Sequence, residues 1–169
     1  MEFVVTVVSH DRPGLIADVT GAVAALGGNL ESSSMTLLQG HFAWTLVVAF
    51  DADIEVLRRE LLAVCPTGVT VSELADEAEP SAVVGDRIVV NLHGADRRGI
   101  VAAITRVLAD AGGNIVELST HLHEGMYLGT AEVEFGQRVD LAALSEGLAA
   151  AGSDVGVRVT AHREDPDVL

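Results

Sequence analysis

Asp11-Arg12-Pro13-Gly14 and, at an offset of 85, Asp96-Arg97-Arg98-Gly99 are the stretches from which the architecture is read. The same offset sets Gly27-Gly28-Asn29 over Gly112-Gly113-Asn114, Gly40 over Gly125 and Phe50 over Phe135. From Val4 to Phe50 the copies align without a gap, with 17 identities in 47 positions. Shared Gly and Asn at turn points mean that both halves bend their backbones alike. The chain is a duplicated domain.

Each copy reads in the same order. Phe3 to Val8 and Ile88 to Leu92 are short β-rich runs. Asp11 or Asp96 is expected to cap a helix, with Pro13 near its first position in copy one. Leu15, Val19, Val23 and Leu26, like Ile100, Ile104, Leu108 and Ala111, recur at helical spacing. Gly-Gly-Asn then forms the helix exit.

Two strands follow around Gln39-Gly40 or Glu124-Gly125, a loop that sets Leu37 opposite Phe42 and Leu122 opposite Tyr127. Phe42, Trp44, Leu46, Val48 and Phe50 alternate onto one face, as do Tyr127, Gly129, Ala131, Val133 and Phe135. A second helix carries Ile54, Leu57 and Leu61, or Leu141, Leu144 and Leu148. A last strand lies near Val69 to Val71 and Val155 to Val159.

The order β-α-β-β-α-β predicts an α+β fold: two ferredoxin-like units, each a four-stranded antiparallel sheet with two helices on one face. The expected domains are residues 1–74 and 87–163, joined by an acidic linker at 75–86 and followed by a tail at 164–169. Units this small bury little surface alone, so packing against a sister copy is expected.

Composition excludes whole classes of function. The net charge of −15 argues against direct contact with nucleic acid, because no Lys/Arg cluster offers phosphates a basic surface. All ten basic residues are arginine. Without a lysine amine, Schiff-base, pyridoxal-phosphate and P-loop NTPase mechanisms have no carrier, and no cofactor is expected. A lone Cys65 excludes an internal disulfide framework and a cysteine-based zinc cluster. No run reaches the ~18 apolar residues of a membrane span. The start, Met1-Glu2-Phe3-Val4, lacks the basic region of a signal peptide, so a cytoplasmic chain is expected.

The informative junction lies between the first strand and first helix: Ser9-His10-Asp11-Arg12-Pro13-Gly14, and Gly94-Ala95-Asp96-Arg97-Arg98-Gly99. A helix N-terminus presents unpaired N–H groups and partial positive charge, which suits a carboxylate or phosphate. Asp11 or Asp96 beside it is either a helix cap or an acceptor for a ligand ammonium.

Asp-Arg-Pro-Gly-Leu, a helix, Gly-Gly-Asn-Leu and a hairpin together resemble the ACT domain, a regulatory amino-acid-binding module. Two copies with no other domain are similar to the glycine cleavage system transcriptional repressor family. The resemblance implies ligands held between two domains, the strand 1–helix 1 loop of one facing the start of strand 2 in its neighbour. Carried over, it selects Ser9, His10, Asp11, Pro13, Gly14 and Leu15 with Gly113, Asn114 and Ile115. The reciprocal set is Asp96, Arg98, Gly99 and Ile100 with Gly28, Asn29 and Leu30. A like charge at Asp11 would repel a ligand carboxylate, so the ammonium end is expected there. Arg98 replaces the loop proline in copy two and Ala95 replaces His10, so the first pocket is expected to bind better.

Other patterns carry less. Asp51 and Asp53 imitate the Asp-x-Asp nucleophile of haloacid-dehalogenase-type phosphatases, yet copy two has Gly136 and Arg138 there. Both aspartates read as caps of the second helix. His121 and His123 share one strand face, where Glu117 or Glu132 would complete a divalent-metal site, although copy one has Thr36 and Leu38. Ser32-Ser33-Ser34 and Cys65 lack a partner for nucleophilic catalysis, so no enzyme is expected.

The resulting expectation is a regulator that binds an amino acid such as glycine or serine, acts through a partner protein rather than DNA, and forms a homodimer. The alternatives are a constitutive scaffold subunit without ligand and a metal sensor.

Overall fold

The computed structural model describes residues 1–51, 53–74 and 85–164. The chain divides into two compact units. The first contains β1 (Glu2–His10), α1 (Leu15–Ala25), β2 (Asn29–Leu38), β3 (His41–Ala49), α2 (Ile54–Val64) and β4 (Val69–Glu73). The second contains β5 (Arg87–Ala95), α3 (Ile100–Asp110), β6 (Gly113–His123), β7 (Met126–Phe135), α4 (Leu141–Asp154) and β8 (Val157–Arg163). The sheets run β2-β3-β1-β4 and β6-β7-β5-β8, with every pairing antiparallel. The expected α+β fold is present twice.

The cores are the apolar faces that alternation marks. In the first unit Phe3, Val5, Val7, Trp44, Leu46 and Val48 meet Leu15, Val19 and Val23 of α1 and Leu57 and Leu61 of α2. In the second, Ile88, Val90, Val133 and Phe135 meet Ile104 and Leu108 of α3 and Leu144 and Leu148 of α4. Leu37 pairs with Phe42, and Leu122 with Tyr127. Gln39 and Gly40 have φ of 50° and 80°, the positive values of a type I′ hairpin turn.

Several boundaries move. Asp11 and Asp96 do not cap their helices: α1 and α3 begin after Gly14 and Gly99, and neither helix has a side-chain cap. Pro13 accordingly stands before the helix, in the turn. Gly14 (φ 85°, ψ −3°) and Gly99 (φ 88°, ψ 1°) take the conformation of the third residue of a type II turn, which an L side chain resists. The second position of that turn favours proline but does not require it, so Arg98 replaces Pro13 without changing the path.

Ser9 and His10 belong to β1, opposite Phe42 and His41, rather than to the loop. Ala111 ends α3 as an exposed C-cap instead of entering the core. Asp53 does cap α2, accepting from the Glu55 N–H at 2.8 Å. Asp51 does not; it lies 3.4 Å from the terminal amine of Met1. The last strand of the second unit starts at Val157, after a turn at Gly156, rather than at Val155.

Most of the acidic stretch expected as a linker, and the tail after Glu164, fall outside the described residues. Asp86 is held within the second unit: its carboxylate accepts from the Val139 N–H at 2.9 Å and from Arg163 at 3.0 Å. The Arg163 bond, then the Val139 bond, hold its carboxyl below the ordinary aspartate range. A depressed folded-state value stabilises the fold above the unfolded value and is lost as pH falls through the folded one. Asp86→Asn should therefore lower the melting temperature at neutral pH. The gap to the parent should narrow below about pH 4, where the unfolded carboxyl is already protonated; melting curves across the acid range check this.

Candidate functional site

The strand–turn–helix junction is pinned from two sides. The Asp11 N–H donates to the Gly40 carbonyl at 3.1 Å, tying the turn to the hairpin tip, and Asp96 makes the same bond to Gly125. Arg12 reaches the other way: its guanidinium donates to the Val64 carbonyl at the end of α2 (3.2 Å) and pairs with Asp18 at 2.7 Å. Two anchors fix the backbone that presents Gly14 and the start of α1.

Beside this turn lies a cleft of about 430 Å³, bounded by Asp11, Arg12, Gly14, Leu15, Ile16, Ala17, Met35 and Phe42. Of the residues expected there, Asp11, Gly14 and Leu15 line it. His10 does not: alternation along β1 turns it to the opposite sheet face, where its ring lies 5.1 Å from that of His41. Ser9 is half-buried and donates to the His10 carbonyl at 3.1 Å. Pro13 is exposed in the turn.

Arg12, Ile16, Ala17, Met35 and Phe42 were not among the expected residues. The hairpin register held the signal for Met35, because it stands opposite Trp44 on the helix-bearing face and next to the Leu37–Phe42 pair.

Gly28, Asn29 and Leu30 line a second hollow of about 200 Å³, with Thr20, Val23, Ala24 and Leu46. Asn29 donates to Glu31 at 3.1 Å. Both hollows flank α1 on the side of β2. That strand is the sheet edge, and all ten of its residues are exposed, including Leu30, Met35, Leu37 and Leu38.

In the second unit Asp96, Arg98 and Gly99 are exposed at the equivalent turn, and Ile100 is buried beneath it. Asn114 is exposed at the start of β6, between half-buried Gly113 and Ile115. Among the described residues no three His, Cys, Asp or Glu groups come together as metal ligands. His121 instead meets the Ser119 hydroxyl at 3.1 Å. Cys65 is buried, and its thiol donates to the Thr67 carbonyl at 3.3 Å. No helix of the described residues is long and apolar enough to cross a membrane.

Family models described as ACT domain match residues 3–66 and again residues 86–162. The chain belongs to the ACT-domain family. A single ACT copy also resembles the UPF0237 protein of Methanocaldococcus jannaschii, 38% identical over 80 residues that cover 47% of this chain and 89% of that protein. The UPF0237 protein of Methanosarcina mazei is 34% identical over 84 residues, covering 49% and 91%.

The duplicated chain has counterparts among solved structures. An unknown protein from Galdieria sulphuraria superposes with a TM-score of 0.80 and 29% identity, over 97% of this chain and 98% of that one. A putative glycine cleavage system transcriptional repressor superposes at 0.72 with 16% identity, over 97% of both chains; the likeness is one of fold. The chain is thus a tandem ACT protein.

Proposed function

We propose that the protein is a regulator that binds a small amino acid, such as glycine or serine, at ACT–ACT interfaces and passes that state to a partner protein. The observation that carries this reading is the α1 cleft, which offers both halves of an amino-acid receptor. Ile16 and Ala17 lie in the first helical turn, whose N–H groups have no partner within the helix and suit a carboxylate. Asp11 borders the same space and suits an ammonium. Leu15, Met35 and Phe42 supply an apolar wall.

The interface half of the proposal rests on the edge strand. An exposed edge presents unpaired N–H and C=O groups, and β2 adds exposed apolar side chains. Another ACT copy on that edge would close the cleft and bring the Asn29 or Asn114 region of a neighbour toward the turn. A homodimer follows from this reading, and the first unit is the better binder. The acidic charge directs any transcriptional effect through a DNA-binding partner.

Calorimetric titration of the full chain with glycine and serine tests the proposal. Binding at millimolar concentrations or tighter is expected. Asp11→Ala should weaken it at least about tenfold, the worth of a hydrogen bond to a charged group. Asp96→Ala should cost less. If no amino acid binds, or if Asp11→Ala leaves affinity unchanged, the reading fails.

A further inference from the structure

The helix-free face of the second sheet differs sharply from its sister, although the two backbones correspond. Ile88, Val90 and Leu92 of β5 point into the core, so Asn91 and His93 lie on the open side. Strand register then sets two rows across that side. One is Ser119–Thr130–Asn91–Thr160, and the next is His121–Leu128–His93–Arg158. Neither row holds a carboxylate, in a chain with 25 acidic residues. The nearest acids along β6 and β7, Glu117 and Glu132, lie one row further on.

Between these rows is a hollow of about 380 Å³ lined by Asn91, His93, Ser119, His121, Leu128 and Thr130. Its polar groups are pre-arranged. Thr130 donates to the Asn91 carbonyl oxygen at 3.0 Å, which leaves the Asn91 amide NH₂ as a donor. Ser119 Oγ lies 3.1 Å from His121 Nε2. With the hydroxyl donating, the ring proton sits on Nδ1, again a donor.

Among the described residues Arg158 forms no ion pair. Arg87 and Arg163, at the far end of the same sheet, are tied to Glu134, Glu164 and Asp86. The first unit has Thr6, Val8, Thr36 and Ala43 at the positions of Asn91, His93, His121 and Leu128. Gly68 stands there where Arg158 stands here, as the cross-strand neighbour of Val8. The Asn91 amide, the two imidazoles and the cation therefore belong to copy two alone, whereas Ser119, Thr130 and Thr160 have their counterparts in Ser34, Thr45 and Thr70.

We propose that this hollow is a second ligand site, for a small oxyanion: a phosphate, or the carboxylate of an organic acid. Arg158 is not part of the lining; as the β8 neighbour of His93 it stands beside the hollow, from where it supplies the charge. Asn91 and His121 supply directed donors, His93 adds a ring nitrogen, Ser119 and Thr130 orient the two donors, and Leu128 adds an apolar contact. Charge-assisted bonds from arginine to such oxygens are the strong ones, and among the described residues no carboxylate is paired with this guanidinium. The site is independent of the amino-acid cleft.

Amide NMR titrations of the isotope-labelled full chain with inorganic phosphate and, separately, succinate test the proposal. Saturable shifts are expected at Asn91, His93, Ser119, His121 and Thr130, with a midpoint in the millimolar range or tighter. A stronger response to phosphate assigns a phosphorylated ligand, and a stronger response to succinate an organic acid. Arg158→Ala should weaken binding at least about tenfold. His93→Val and His121→Thr import residues that the first unit already accommodates, and each should also weaken it. Resonances away from the hollow should superpose with the parent's, which separates lost binding from lost fold. Asp11→Ala should leave the oxyanion response intact, so failure of the amino-acid reading would not carry this one with it. The proposal is overturned if neither anion shifts these amides, if Arg158→Ala binds as the parent does, or if Thr6, Val8 and Thr36 shift equally.

Discussion

Gly68→Ala should destabilise the first unit by about 4 kcal/mol or more, at the upper end of single-substitution effects. Gly68 sits between α2 and β4 with φ of 73°, and its carbonyl accepts from the Val8 N–H at 2.7 Å. A β-carbon there would lie 1.8 Å from the Val8 carbonyl oxygen and 2.8 Å from its carbon. No rotamer relieves that contact, because both partners are backbone. The chain must either draw β4 away from β1, its one partner in the sheet, or distort β1 itself.

Left-handed strain adds to this clash. Gly21 provides the contrast: it lies within α1, and a β-carbon on it would meet nothing within 4 Å. Gly21→Ala should therefore stabilise by about 0.5–1 kcal/mol, the helix-propensity gain. Urea unfolding followed by tryptophan fluorescence measures both, since Trp44 is the one tryptophan and is buried in this unit. A loss under about 1 kcal/mol for Gly68→Ala would contradict the described approach of β4 to β1.

Trp44→Ala should cost about 3–5 kcal/mol, the range for emptying a buried aromatic site. Trp44 is 4% exposed and meets the Phe42 ring edge-on at a centroid distance of 6.1 Å. Its removal leaves Phe42 without that neighbour, and Phe42 walls the candidate cleft. Amino-acid affinity should therefore fall along with stability, while Trp44→Phe should retain more of both. Unfolding followed by circular dichroism, with calorimetry on the folded variants, separates the two losses. A cost below about 2 kcal/mol would mean that the site collapses rather than staying open.

The second unit fills the same place differently. Gly129 occupies the position of Trp44, and a β-carbon on it would lie 3.0 Å from Leu92 Cγ. Leu92 thus supplies volume that Trp44 supplies in the first unit, where Val7 takes the place of Leu92. The exchange is one of packing, since both cores close around equivalent strands and helices.

Much of the fold was legible because its determinants are local and repeated. The hairpin register follows from a two-residue turn, and Leu37–Phe42 and Leu122–Tyr127 pair as the turn requires. The helix starts were not legible. An aspartate ahead of an apolar helical pattern has the same one-dimensional signature whether it caps the helix or precedes a turn. Nor were the bulges between Leu30 and Ser32 and between Ile115 and Glu117, each of which reverses the in–out phase of its strand. Beyond the first bulge Ser33, Met35 and Leu37 face the helix side, and this is how Met35 enters the cleft.

By itself the sequence determined the duplication, the order of elements, the core faces and the hairpin turns at Gln39–Gly40 and Glu124–Gly125. Each depends on near neighbours along the chain or on side-chain volume and polarity. Only the tertiary structure decided which residues share a site, because strand pairing joins positions far apart in sequence. It turned His10 away from the cleft, drew Met35 and Phe42 into it, and aligned His93 with His121 and Arg158 across a single sheet face.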